Sequence, residues 1–213
     1  MVLTRCFSQR KHITKSSNLI FVASSKIIGD YIDESIKCLQ NLKMMNSRIE
    51  KISQILIDAR DSKRKVFLLG NGGSASTASH FICDLNKTST MKDKNRTRAI
   101  SLVDNVPIIS AYGNDVSYDS IFIEQLKNLL EPQDVLIAIS GSGNSKNVIE
   151  AVSYAKEKGA TVVGLTGFDG GKLKSKCDEC LVIPSNSMYR IEDMHLMINH
   201  IITSVLRKGT DYK

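Results

Sequence analysis

Four residues in this sequence have the types and spacing to move a proton: His80 and Asp84, four apart, and Glu192 and His200, eight apart. On a helix the first pair lies on one face. The second pair is separated by about 80° around a helix turning ~100° per residue, so it too can address one side. A carboxylate and an imidazole in reach of each other serve as base and acid, or as ligands of a divalent cation. Two further stretches have the makings of an anion site. One is Gly70-Asn71-Gly72-Gly73-Ser74, which runs directly into the segment bearing His80 and Asp84; the other is Ser140-Gly141-Ser142-Gly143-Asn144-Ser145. A glycine turn ahead of a helix presents successive backbone N–H groups and the positive end of the helix dipole to a phosphate, with no need of a cationic side chain. Ser74, Ser140, Ser142 and Ser145 add hydroxyl donors. An anion cradle beside a titratable pair points to chemistry on a phosphorylated substrate.

The elements that must position these residues follow from periodicity. Residues 65–69 (KVFLL) read as a strand and 75–85 as a helix, so the first glycine turn joins strand to helix. Residues 135–139 (VLIAI) form an unbroken apolar run, as expected of a central parallel strand buried on both faces. The serine loop follows it, and a helical pattern over 148–158 follows the loop. Residues 99–103, 161–166 and 181–183 read as further strands; 107–111 and 120–130 read as helices, and 86–96 as a loop. Tyr112-Gly113-Asn114-Asp115 reads as a turn, with Asp115 favoured as a helix cap over a substrate ligand. The last helix, 189–208, carries Glu192, His195 and His200, and each histidine alone reads as an ordinary helix residue. Ahead of the first strand, apolar residues with helical spacing between 27 and 61, interrupted near 44–47, predict two amphipathic helices able to cap the domain or meet another subunit. Strands alternating with helices imply an α/β fold: a single three-layer domain with a central parallel sheet flanked by helices, preceded by two N-terminal helices. In such sheets ligands bind at the carboxyl ends of the strands, where both loops fall.

Composition sets the outer limits. The 213 residues, 42% of them hydrophobic, suffice for one core. A formal charge of +7 favours anionic partners, sugar phosphates as readily as nucleic acid. Nucleic acid is the less favoured of the two, since Arg-Gly repeats, Cys/His finger spacings and basic helices with regular aromatics are absent. Five scattered cysteines do not form a disulfide framework, which fits a reducing compartment and a cytoplasmic protein. Cys177-Asp178-Glu179-Cys180 is the one C-x-x-C; without a second such pair it reads as structural. Residues 1–26 are rich in Lys and Arg and read as a basic flexible tail ahead of a domain spanning 27–213, and the apolar run at 19–23 is too short for a membrane span.

These motifs, in this order, resemble the SIS (sugar isomerase) domain family, and within it the phosphoheptose isomerases, which interconvert sedoheptulose 7-phosphate and a D-glycero-heptose 7-phosphate. The resemblance rests on Gly70-Asn71-Gly72-Gly73-Ser74 with His80, on Gly113-Asn114-Asp115, on the serine loop 140–145, on residues 165–172 (LTGFDGGK), and on residues 190–195 (RIEDMH) with His200. It implies a phosphate held by Asn71, Gly72, Gly73, Ser74, Ser140, Ser142 and Ser145, with Asp115 near the sugar. It also implies one zinc ion per subunit on His80, Asp84, Glu192 and His200, as in some members, no nucleotide, and a homo-oligomer, either a tetramer or a dimer. Asp84, Glu192 and His200 would carry an aldose–ketose isomerisation through a cis-enediol. Three positions depart from the family pattern: Gly141 stands where Thr is common, Asp84 where Glu is usual and Glu192 where Gln is usual. An Asp one methylene shorter brings a base less far toward its proton, and a second carboxylate adds negative charge to the site.

Two rival readings follow from the same residues. The departures at Asp84 and Glu192 suit a non-catalytic relative that binds a sugar phosphate or a replication initiator. Gly70, Gly72 and Ala75 satisfy the dinucleotide fingerprint, with Asp104 after the second strand, although that reading leaves the serine loop and the acids and histidines of the last helix without a role.

Overall fold

The computed structural model describes residues 13–208 except residue 93. Five parallel strands form one sheet: β1 (Lys65–Gly70), β2 (Arg98–Ser101), β3 (Val135–Ser140), β4 (Thr161–Gly167) and β5 (Glu179–Ile183), in the order β2-β1-β3-β4-β5. Every residue of β1 and β3 is buried, as their unbroken apolar runs require. Their side chains alternate between two cores. Val66, Leu68, Val135 and Ile137 pack with Leu56, Phe81 and Ile198 on one face, while Phe67, Leu69, Leu136 and Ala138 pack with Phe122, Leu126 and Val152 on the other.

The first face is covered by α2 (Asn46–Asp61), α3 (Gly73–Cys83) and α8 (Met188–Lys208), and the second by α5 (Ile123–Leu129), α6 (Lys146–Glu157) and the short α7 (Gly171–Lys174). The chain leaves β1 toward β2 on one side and returns to lay β3 on the other. The carboxyl ends of β1 and β3, which are in register at Gly70 and Ile139, therefore flank the switch point where such sheets bind ligands.

Two expectations change. Helix α1 (Ile13–Lys43) begins inside the stretch read as a tail; between residues 13 and 43 there is no proline and a single glycine, Gly29, so nothing in the sequence stops the helix there. Residues 1–12 of that stretch lie outside the described residues. The apolar positions of α1 divide: Cys38 and Leu42 are buried, whereas Ile28, Ile32 and Ile36 are 60%, 54% and 46% exposed, which leaves open the surface expected to meet another subunit. Finally, Tyr112 to Asp115 are not a turn but the end of α4 (Val106–Asp115), so Asp115 closes a helix rather than capping its start. Asn105 is the cap, its side chain accepting from the Ile108 N–H at 3.2 Å.

Candidate active site

The first loop is shaped by backbone approach. A Cβ on Gly70 would fall 2.8 Å from the carbonyl of Ser74 and 2.9 Å from that of Ile139, so only glycine fits where β1 meets β3. Gly72, at φ +52°, takes a conformation that favours glycine and starts α3 immediately, two residues earlier than periodicity suggests. The free N–H groups of the first turn of α3 open onto the carboxyl edge of the sheet.

The second loop closes against the segment after β4. Gly143 N–H donates to the Ser140 carbonyl at 2.9 Å, and Ser140 Oγ and Ser145 Oγ lie 3.3 Å apart. The carbonyl of Gly143 accepts from Leu173 N–H at 3.0 Å, and the Asn144 side-chain oxygen accepts from Lys172 N–H at 3.1 Å. Gly143 has φ +63°, and a Cβ there would lie 2.1 Å from the Gly170 carbonyl oxygen. The two loops are tied together by a reciprocal amide pair: Asn71 Nδ2 donates to Asn147 Oδ1 at 2.9 Å, and Asn147 Nδ2 donates to Asn71 Oδ1 at 3.0 Å. Tyr118 Oη donates to the same Asn71 oxygen at 3.0 Å.

At the far end of α3, three side chains converge. His80 Nε2 and His200 Nε2 are 3.3 Å apart, and Asp84 Oδ2 lies 3.5 Å from the first and 3.9 Å from the second. Asp84 Oδ2 is buried and has no hydrogen-bond partner, while both imidazoles are about half exposed. Immediately after α3 the helix widens into a π-turn over Asp84–Thr88, closed by Ser89 N–H to the Asp84 carbonyl at 2.8 Å. Such widened turns recur at functional sites. A tetrahedral zinc site with bonds of ~2.0–2.1 Å places its ligand atoms about 3.3–3.4 Å apart. Two nitrogens and an orphaned carboxylate oxygen at these separations fit a divalent ion, with positions left for a substrate.

The profile of the SIS domain matches residues 30–167. The phosphoheptose isomerase of Aliarcobacter butzleri is 38% identical over 183 residues, covering 85% of this chain and 96% of its own. That of Helicobacter pylori is 36% identical, covering 82% and 90%. The chain belongs to the SIS-domain family. The solved phosphoheptose isomerase of Neisseria gonorrhoeae superposes with a TM-score of 0.79 at 31% identity, covering 85% of this chain and 97% of that one. The Francisella tularensis enzyme superposes with a TM-score of 0.80 at 28% identity, over 87% and 99%.

Within this SIS domain the candidate residues do not all meet. Glu192 stays out of the histidine cluster: a Cβ on Gly73 would lie 2.5 Å from its Oε1 and 2.6 Å from its Oε2, so its carboxylate rests on the first turn of α3. The 80° between Glu192 and His200 leaves out the axial rise, about 12 Å over eight residues. Helices α3 and α8 run side by side in one direction: Glu192 faces Gly73, Asn199 Nδ2 donates to the Thr77 carbonyl at 3.2 Å, and His200 faces His80. The glycine turn and the cluster therefore sit at opposite ends of α3, about 10 Å apart for the seven residues from Gly73 to His80. Asp115 is exposed and accepts from Asn114 Nδ2 at 2.7 Å; among the described residues no hydrogen bond or ion pair joins its side chain to either loop. Asp84, although shorter than Glu, still reaches both imidazoles. Gly141 has a steric reason: a Cβ there would lie 2.3 Å from Met188 Sδ, so a threonine would have to displace that side chain. Sequence reasoning missed Asn147 and Tyr118. The first follows the serine loop by one helical residue, and the second lies in a single 3-10 turn that carries no motif.

Proposed function

We infer that this protein is an aldose–ketose isomerase acting on sedoheptulose 7-phosphate, moving a proton between C1 and C2 through a cis-enediol. One observation carries the reading: a glycine turn and free helix N-terminus at the sheet's switch point lie about 10 Å along α3 from a histidine–carboxylate cluster. A sugar phosphate spanning that distance puts its phosphate on the N–H groups of residues 72–74 and the hydroxyls of Ser74, Ser140, Ser142 and Ser145, and its carbonyl end on the cluster. Asn71 is pre-set by Asn147 and Tyr118, so little ordering remains to be done on binding. Asp84 takes a proton from one carbon and, after exchange with solvent, delivers one to the next; in the metal-free site His200 donates to and accepts from the adjacent oxygen. His80, Asp84 and His200 would hold one zinc ion per subunit, which when bound would polarise the carbonyl and hydroxyl oxygens in place of the His200 proton. Glu192 is assigned to the cradle end, where its charge sets phosphate affinity rather than moving the substrate proton. The phosphoheptose isomerases at 35–40% identity over most of the chain support the substrate.

The protein is also proposed to act as a homo-oligomer in the cytoplasm. The exposed stripe Ile28, Ile32, Ile36 and Leu39 on α1 leads to an apolar groove of about 360 Å³ lined by Leu42, Ile49, Met197 and Ile201, a surface suited to a second copy. Among the described residues no helix is long and apolar enough to cross a membrane. Turnover of sedoheptulose 7-phosphate by purified protein, with and without added zinc, tests the activity. Aldose product that disappears in Asp84→Asn supports the reading; no product under either condition overturns it.

A further inference from the structure

We propose that Cys177 and Cys180 form a reversible dithiol–disulfide pair, closed by a low-molecular-weight disulfide, beside the segment that supports the serine loop. The pair lies outside the site described above, and the inference does not depend on the isomerase reading.

Geometry brings the two sulfurs together. Cys180 pairs with Gly164 in the β4–β5 ladder, and the missing side chain of Gly164 is the space both sulfurs occupy: a Cβ there would lie 2.6 Å from Cys177 Sγ and 3.0 Å from Cys180 Sγ. The backbone between them is pinned. Asp178 N–H donates to the Val162 carbonyl at 2.9 Å, and Asp178 Oδ2 accepts from Val162 N–H at 2.8 Å. Arg48 Nη1 donates to the Cys180 carbonyl at 2.9 Å. The sulfurs are thus held at one point of β4 by bonds on both sides of the motif.

Accessibility and charge divide the roles. Cys177 is partly exposed and Cys180 is 7% exposed. Cys177 is pushed up by its contact with Cys180 and by burial, whereas Cys180 is lowered by the Cys177 thiol and by the charges of Arg48 and Lys174. Cys177 is the sulfur an external disulfide can reach, and Cys180 is the better resolving thiolate. In the first step the Cys180 thiolate takes the Cys177 proton as Cys177 bonds to one sulfur of RSSR and releases RS⁻, which takes up a proton from solvent; Cys180 then returns its proton to solvent. In the second, the Cys180 thiolate attacks the Cys177 sulfur of the mixed disulfide and releases the second RS⁻. Two protein thiols are oxidised, one RSSR is reduced to two RSH, and no net proton is consumed. The neighbourhood gives the bond a route to the substrate loop, since Leu173 Cγ lies 3.4 Å from the same point over Gly164 and Leu173 N–H holds the Gly143 carbonyl.

Full-length protein incubated with excess oxidised glutathione, then denatured, alkylated and peptide-mapped without reductant, tests the pair. The expected result is a peptide spanning residues 177–180 that resists alkylation, has lost two hydrogens and is restored by dithiothreitol. Cys180→Ser should stop at a glutathione adduct on Cys177, with a circular dichroism spectrum matching the parent. Free, alkylated Cys177 and Cys180 in the oxidised wild type, a persistent glutathione adduct there, or a bond from either residue to Cys38 or Cys83 would each overturn the proposal.

Discussion

His195 should make the fold acid-labile in a defined window. It lies on the inner face of α8, fully buried, its Nε2–H donating to the Thr166 carbonyl at 3.2 Å while Nδ1 is buried without a partner. Burial lowers its pKa from 6.5 to about 4, the hydrogen bond to Thr166 opposing that only in part. As pH falls below 6.5 the unfolded chain takes up a proton that the native state refuses until about 4. Stability is therefore fully present above 6.5, falls through the window and is lost in full near 4. At ~1.4 kcal/mol per pKa unit, the contribution is about 3 kcal/mol. Urea unfolding followed by circular dichroism at several pH values between 7 and 4 measures the slope, and His195→Gln isolates it from the carboxylates that titrate nearby. Glutamine keeps a donor for Thr166 but no titrating group, so the wild-type and variant stabilities should converge by about 3 kcal/mol as pH falls. Parallel curves for the two proteins would refute the reasoning.

Three further outcomes follow from the site and surface. Glu192→Gln removes a negative charge from the start of α3, and about 1 kcal/mol of relieved repulsion should lower KM for the sugar phosphate roughly fivefold, an effect that shrinks with added salt. Gly143→Ala combines φ +63° with a Cβ 2.1 Å from the Gly170 carbonyl, so KM should rise at least about fivefold on the order of 1–3 kcal/mol of strain, read by steady-state kinetics and thermal melting. The double variant Ile32→Glu, Ile36→Glu places charge on the exposed stripe of α1, and sedimentation velocity should show a shift toward monomer.

Much of the sheet was legible because residues 66–69 and 135–139 leave no polar position to face water, and because Gly70 and Ser140 mark where each strand must turn. Both loops were legible for the same reason. What escaped was geometry that a linear pattern does not carry. Glu192 and His200 share a helix face, but spacing by angle says nothing of the 12 Å rise that sends one to Gly73 and the other to His80. Gly113 suggested a turn before Asp115, yet α4 runs through it, since a single glycine costs a helix only about 1 kcal/mol. The stripe on α1 has the periodicity of a core face, and periodicity records apolar content without saying what covers it. Asn147 and Tyr118 are ordinary polar residues whose importance comes from meeting Asn71 across the sheet edge.

The central claim is that Asp84 and His200, about 10 Å from a phosphate cradle, move a substrate proton. Incubation of the protein, with and without added zinc, with sedoheptulose 7-phosphate in heavy water, followed by proton NMR, tests it most directly. The account predicts aldose 7-phosphate carrying deuterium at C2, with both conversion and exchange abolished in Asp84→Asn. Unchanged ketose after prolonged incubation of the wild-type protein would contradict it.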